Sequence, residues 1–364
     1  MMRVIFLFLL TFFSASLFSF KEADVKKEIS VACKKYIKDK NIRGLSVGVI
    51  KASYDLESPF EKTFYFGQSK KSPQTNVKEA TQFRIGDLSK MFVAALLCHF
   101  VETGKLDLSD TLEKHLPKSF KMPDYHGEKI TLFQLATHTS SLPKIPTIPM
   151  KDYQVSIKEI QNYLRPFKFP KKPGTRYELS DLGYGLLVYA MGRISRSSFE
   201  ELLKEHLLNP LSISTLHCKM SAFAVQRLCE GYKGLFLVKK HFVDKDWCFF
   251  KPTRGLVSNT VALQSWMRFL LKVEKTPLDS ILKNLLQITY TFEESTVKKA
   301  AFPFIVSPLS LEKALTTYSI GGTYHGFTSH MAFIPDTRTG VVILSNAEEN
   351  VGHLAKNLLE ILSD

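Results

Sequence analysis

The sequence predicts an α/β (α+β) protein: an antiparallel sheet built from both chain ends and flanked by helices, with a mainly helical lobe inserted between them. Three observations carry that expectation. Alternating, β-rich runs lie near both ends of the chain, at Leu45–Ile50 and Thr63–Gly67 and again at Ser329–Ile334 and Thr339–Leu344. The last two flank Pro335-Asp336-Thr337-Arg338, a hairpin turn. Between the ends, apolar residues recur at helical spacing instead. A chain of 364 residues is long enough to bury one large core or two interleaved ones.

Taken in order, Met1-Met2-Arg3 gives a positive start, Val4–Phe13 an apolar stretch, and Ser14–Ser19 a run of small residues suited to cleavage. Residues 1–19 are therefore expected to be a signal peptide and 20–364 the mature domain, exported to the periplasm or secreted. An uncleaved signal would be the one route to the membrane. Asp24–Lys40 has helical apolar spacing, and Leu45–Ile50 with Thr63–Gly67 reads as a hairpin of strands. Met91–Thr103 is a long apolar helix with Gly104 as its C-terminal cap. Thr131–Thr137, Ser156–Leu164, Gly183–Gly192, Phe199–Leu208 and Thr260–Val273 follow as helices, and Val351–Leu362 closes the chain as an amphipathic one. The α/β lobe is thus expected at about 20–85 and 250–364, and the helical lobe at about 86–249.

A 45% hydrophobic and 23% charged composition excludes a disordered or fibrous class. The formal net charge of +14 gives a basic surface field, but the lysines are scattered and no helix-turn-helix, RNP or zinc-finger signature accompanies them, so no nucleic-acid partner is expected. The five cysteines, Cys33, Cys98, Cys218, Cys229 and Cys248, have no metal-ligand spacing. Cys98 sits in an apolar run as a small buried residue, while Cys218 and Cys229 are candidates to pair in an oxidising compartment.

Several ordered motifs carry the functional reading. The first is Phe83-Arg84-Ile85-Gly86-Asp87-Leu88-Ser89-Lys90-Met91-Phe92, at the start of the long apolar helix. Gly104-Lys105-Leu106-Asp107-Leu108-Ser109-Asp110 and Ile130–Pro143, which contains Thr137-His138-Thr139-Ser140-Ser141, follow it. Pro173-Gly174-Thr175-Arg176-Tyr177 then leads into Ser180-Asp181-Leu182-Gly183-Tyr184-Gly185. Near the end come Ile320-Gly321-Gly322 and Gly326-Phe327-Thr328-Ser329. In this order, across about Leu45 to Asn346, they resemble the serine β-lactamase-related and penicillin-binding-protein-like family, which includes class C β-lactamases, D-Ala-D-Ala carboxypeptidases and related esterases. The resemblance implies a β-lactamase/transpeptidase-like fold with a cleft between the lobes and no cofactor.

It also implies which residues should carry the chemistry, and most of them are changed. The S-x-x-K serine falls on Asp87, with the lysine kept as Lys90. The family's proton-transferring Tyr falls on Leu179, its Asn on Asp181, and the Lys or His of the third motif on Ile320. Gly321, Gly322 and Tyr324 are the expected binding residues, and Tyr184 is a further candidate to line the cleft. An acyl transfer needs an alkoxide generated by a neighbouring base. A carboxylate at position 87 would instead form a reactive anhydride with an acyl group, and leucine cannot move a proton.

No replacement serine is in a good place. Ser89 is about 200° round the helix from Asp87, Ser180 points away from Leu179 and Asp181, and the S-x-x-K at Ser310–Lys313 lies outside the helical lobe. His138 is expected to be a scaffold residue and His99 a helix-packing one. Asp87 has a structural role available too. A carboxylate at a helix N-terminus is worth ~0.3–1 kcal/mol, and Asp87, Lys90 and Asp181 can form one ion-pair cluster.

The expectation is therefore an exported protein without acyl-serine chemistry, binding a peptidoglycan stem peptide or an envelope protein in the retained cleft. The alternative is an active hydrolase of altered chemistry that uses Asp87, Lys90 and Asp181. A third reading is a structural or oligomerising envelope component. No metal is expected, because the carboxylates lack histidine partners.

Overall fold

A computed structural model describes residues 21–52, 58–149, 155–234, 236–237, 249–293, 298–310 and 315–364. The leader segment, Cys248 and Lys313 lie outside the described residues. Among the described residues the main sheet has nine strands. From one edge to the other they are Thr75–Asn76, Phe60–Lys70, Gly44–Lys51, Thr339–Ser345, Phe327–Ile334, Thr316–Tyr324, Phe304–Pro308, Lys299–Ala301 and Tyr290–Thr291. Every pairing is antiparallel, and the junction of the two chain ends is Gly44–Lys51 against Thr339–Ser345, with Val47 opposite Ile343.

The central strands are buried on both faces, so apolar residues fill them almost continuously. Behind the sheet, Leu45, Val47, Val49, Val341 and Ile343 pack on Ile29 and Cys33 of the N-terminal helix Glu22–Lys40 and on Leu354, Leu358 and Leu362 of the C-terminal helix Gly352–Ser363. In front, Ser46 and Gly48 face the helix Thr260–Leu270: Ser46 Oγ is 2.6 Å from Thr260 Oγ1. A Cβ at Gly48 would stand 2.6 Å from Gln264 Cγ, so the close approach of helix to strand requires glycine there. Gln264 uses that proximity, donating to Val49 O at 3.2 Å and to Lys62 O at 3.0 Å.

The helical lobe is organised by Ser89–Glu102, whose residues from Ser89 to Cys98 are all buried. A helix apolar all round belongs inside a core. Its Phe92 meets Trp266 of the Thr260–Leu270 helix at 4.6 Å between rings. One apolar cluster runs from this helix through Leu132, Leu187 and Leu203 to Met331 and Phe333 on the sheet. Reciprocal caps start three of the lobe's other helices: Thr131 with Gln134, Ser156 with Glu159, and Ser198 with Glu201.

Three local expectations need correction. The helix from Thr260 ends at Leu270, because Lys272 turns left-handed and Val273 N–H returns to Arg268 O. The Phe199–Leu208 segment is an α-helical turn continuing into a π-helix at Lys204–Leu208. Cys218 and Cys229 are not joined to each other; Cys229 is a buried thiol that donates to Ser69 O. Among the described residues no helix is long and apolar enough to cross a membrane.

Candidate active site

The site forms where the helical lobe meets the sheet. Phe83–Arg84 pairs with Val257–Ser258, and Ile85 is held at both ends, its N–H by Leu256 O and its carbonyl by Ser329 Oγ at 2.7 Å. Gly86 then adopts φ +50°, which turns the chain into a short 3-10 segment, Gly86–Leu88, ahead of the buried helix. Asp87 is thereby laid against the Thr316–Tyr324 strand. A Cβ at Gly322 would overlap Asp87 Oδ2, so the strand can approach only as glycine.

Lys90 is one turn further on and almost fully enclosed, its side chain 3% exposed. Its ammonium stands 2.6 Å from Asp87 Oδ1 and 2.7 Å from Asp181 Oδ1. Asp181 has 0% side-chain exposure and opens the helix Asp181–Ser195, whose N-cap is Ser180. Ser180 Oγ accepts from Gly183 N–H at 2.9 Å and donates to Pro143 O at 2.9 Å. It serves the scaffold. Ser89 is fully buried, and its Oγ accepts from Leu256 N–H.

A fourth member of the cluster was not visible in the sequence. Arg254 ends the four-residue helix Lys251–Arg254 and reaches both carboxylates, with Nε 3.5 Å from Asp87 Oδ1 and Nη1 3.3 Å from Asp181 Oδ2. Its Nη2 donates to Thr323 O at 3.2 Å, and its guanidinium lies 5.1 Å from the centre of the Tyr324 ring. The signal available was the Lys251-Pro252-Thr253-Arg254-Gly255 run, which says nothing about a partner some seventy residues away.

The electrostatics follow from this enclosure. Burial pushes the Asp87 carboxyl up, but Lys90 and Arg254 outweigh it and hold the group below its ordinary value. Burial likewise pulls the Lys90 ammonium down, and Asp87 and Asp181 more than restore it, so its pKa is raised. The lysine is thus a protonated ion-pair partner, the opposite of a free base. His138 is fully buried in a left-handed turn, and its Nδ1 accepts from Ser180 N–H at 3.1 Å. Burial, with the charge of Lys90, lowers its pKa to about 3, so it stays neutral.

The other sequence-selected residues are divided by the strand's alternation. Ile320, Gly322 and Tyr324 share the front face, Ile320 only 7% and Tyr324 8% exposed. Gly321 is a correction: it faces the rear, where its missing Cβ would meet His330. Tyr184 is another, since it is fully buried and its hydroxyl donates to Ala136 O at 2.8 Å, away from the cluster. Leu179 precedes the Asp181 helix and is 44% exposed. Tyr177 is largely buried, and burial together with Asp87 raises its pKa. Among the described residues no group of histidine, cysteine and carboxylate side chains could hold a metal.

Comparison with known proteins agrees with this fold. The Beta-lactamase family model matches residues 33–363. A solved class C β-lactamase superposes with a TM-score of 0.81 over 94% of this chain and 97% of its own, at 20% identity. A β-lactamase/D-alanine carboxypeptidase from Pseudomonas syringae superposes at 0.78 over 93% and 98%, at 18% identity. Protein flp of Staphylococcus aureus is 25% identical over 80% of this chain and 58% of its own length. The D-alanyl-D-alanine-carboxypeptidase/endopeptidase AmpH of Escherichia coli is 27% identical over 46% and 45%. The chain thus spans about half the length of these curated relatives. With its terminal sheet, its inserted helices and its lysine one turn into the buried helix, the chain belongs to the β-lactamase family, the serine β-lactamase and penicillin-binding-protein-like group.

Proposed function

We propose that this protein is a non-acylating member of its family, exported to the cell envelope, that binds a ligand or partner in the retained site without cleaving it. The observation that carries this reading is the occupation of Lys90. Both of its ion-pair partners are carboxylates, and one of them stands where the family's nucleophile would be. A serine hydrolase of this kind needs a hydroxyl activated by a neighbouring base. Here the base is protonated and the hydroxyl is replaced by an anion.

The chemical class of ligand comes from the relatives. The name of the Escherichia coli protein specifies D-alanyl-D-alanine ends, so a peptidoglycan stem peptide is the first candidate and an envelope protein the second. Intact-protein mass after incubation with a reactive penicillin is expected to be unchanged; an adduct would overturn the reading. Calorimetric titration with a D-Ala-D-Ala peptide is expected to give heat at millimolar ligand. No heat would remove the stem peptide and leave the protein partner.

A second reading is favoured by one observation: Asp87 and Arg254 keep 15% and 14% side-chain exposure, while Lys90 and Asp181 are enclosed. A reachable carboxylate could act on water or a small ester as a general base. Turnover of a small ester that is lost in both Asp87→Asn and Lys90→Ala would establish that hydrolase; no turnover, or turnover unaffected by either change, would end it.

A further inference from the structure

We infer that Arg254 is the counter-charge of Asp87, a positioning residue that holds this carboxylate on Lys90 and, together with it, closes the site to acylating ligands. The inference rests on the non-acylating reading and adds a residue to it. Charge counting is the first argument. The cluster holds two cations, Lys90 and Arg254, and two carboxylates, Asp87 and Asp181, all buried or nearly so. Removing Asp87 alone leaves two cations on one enclosed carboxylate, and a buried unpaired charge is strongly unfavourable. Removing Asp87 and Arg254 together leaves Lys90 with Asp181, which is balanced.

Geometry is the second argument. Arg254 does not depend on Asp87 for its place. It retains Asp181 at 3.3 Å, the Thr323 carbonyl at 3.2 Å and the Tyr324 ring beneath it. Without Asp87 the guanidinium therefore stays stretched from the Asp181 helix to the Thr316–Tyr324 strand, across the ground an acyl group would need. A serine restored at position 87 would still lie under this strap. Arg254 is thus an obstacle to acyl chemistry in addition to Asp87 and to the changes at Leu179, Asp181 and Ile320.

The experiment compares the unaltered chain, Asp87→Ser, Arg254→Ala and the double variant, each measured for thermal midpoint and for labelling rate by a reactive penicillin. Each single change is expected to lower the midpoint, and the second to recover part of the loss caused by the first. The double variant is expected to label at least ten-fold faster than Asp87→Ser. Additive midpoints would overturn the pairing. Equal labelling of Asp87→Ser and the double variant, including none in either, would overturn the closure. Should Asp87→Ser fail to fold, Asp87→Asn with and without Arg254→Ala gives the same midpoint comparison. The adduct on the unaltered chain reads the preceding proposal and the ratio between variants reads this one, so the two fail separately.

Discussion

The rear of the sheet and the heart of the cluster on its front, Lys90 with Asp181, are both buried, but by opposite means. Behind the sheet Ile29, Val47, Ile343 and Leu358 exclude water with hydrocarbon alone. In front, Lys90 and Asp181 are enclosed by meeting charges of opposite sign. Apolar packing loses stability in proportion to the surface and volume removed. An ion cluster does not degrade in proportion, because losing one member exposes the desolvation penalty of the rest.

That contrast can be broken or sharpened by measurement. The largest effect is expected at Lys90→Ala, which leaves Asp87 and Asp181 with Arg254 alone as counter-charge and should lower stability by about 4 kcal/mol in denaturant unfolding. Leu358→Ala, on the fully buried rear face, should cost about 3 kcal/mol by the same assay. If Lys90→Ala proved the milder of the two, the cluster would be less tightly coupled than its distances indicate.

Acid should distinguish the regions next. His138 is held neutral by burial, its pKa lowered to about 3, and burial lowers that of His330 to about 4. In the unfolded chain both titrate near the usual value of about 6.5. Between those limits the unfolded state binds more protons, so stability falls as pH drops from about 6.5 toward 3–4. Replacing His138 by Asn, which tolerates the left-handed backbone and can accept from Ser180, should flatten part of that slope in thermal scans between pH 7 and 5.

The cluster itself acts outside this window. The depressed Asp87 contributes stability that is lost only as pH falls below about 4, and the raised Lys90 one that is lost only above about pH 10. A flat response of the cluster across neutral pH is therefore expected. The smallest effect should be Ser180→Ala, which removes one helix cap at about 1 kcal/mol.

Much of this was legible in the sequence because it is encoded locally or in ordered motifs. The hairpin around Pro335–Arg338, the buried helix after Ser89 and the placing of Asp87, Lys90 and Asp181 all depend on spacing or on caps. What escaped depends on contacts distant in sequence. Arg254 belongs to a helix of four residues and finds partners through Asp87, Asp181 and Thr323, three separate elements. The Thr316–Tyr324 strand is hidden in the sequence because Gly321 and Gly322 remove the alternation that marks a strand. Gly321 enters the expected site through the family motif it shares with Gly322, and without side chains adjacent residues do not reveal which face each takes.

One buried residue gives the molecule an optical reporter. Trp266 is fully enclosed at the seam between lobe and sheet, 4.6 Å from Phe92 and 5.1 Å from Phe269. The chain has two tryptophans, Trp266 and Trp247, so Trp247→Phe makes Trp266 its single indole emitter. Its emission colour would then tell, for any variant of the charged cluster, whether the helix carrying Lys90 still lies against the body of the protein. Lost binding could be separated from lost packing in a cuvette, without a ligand.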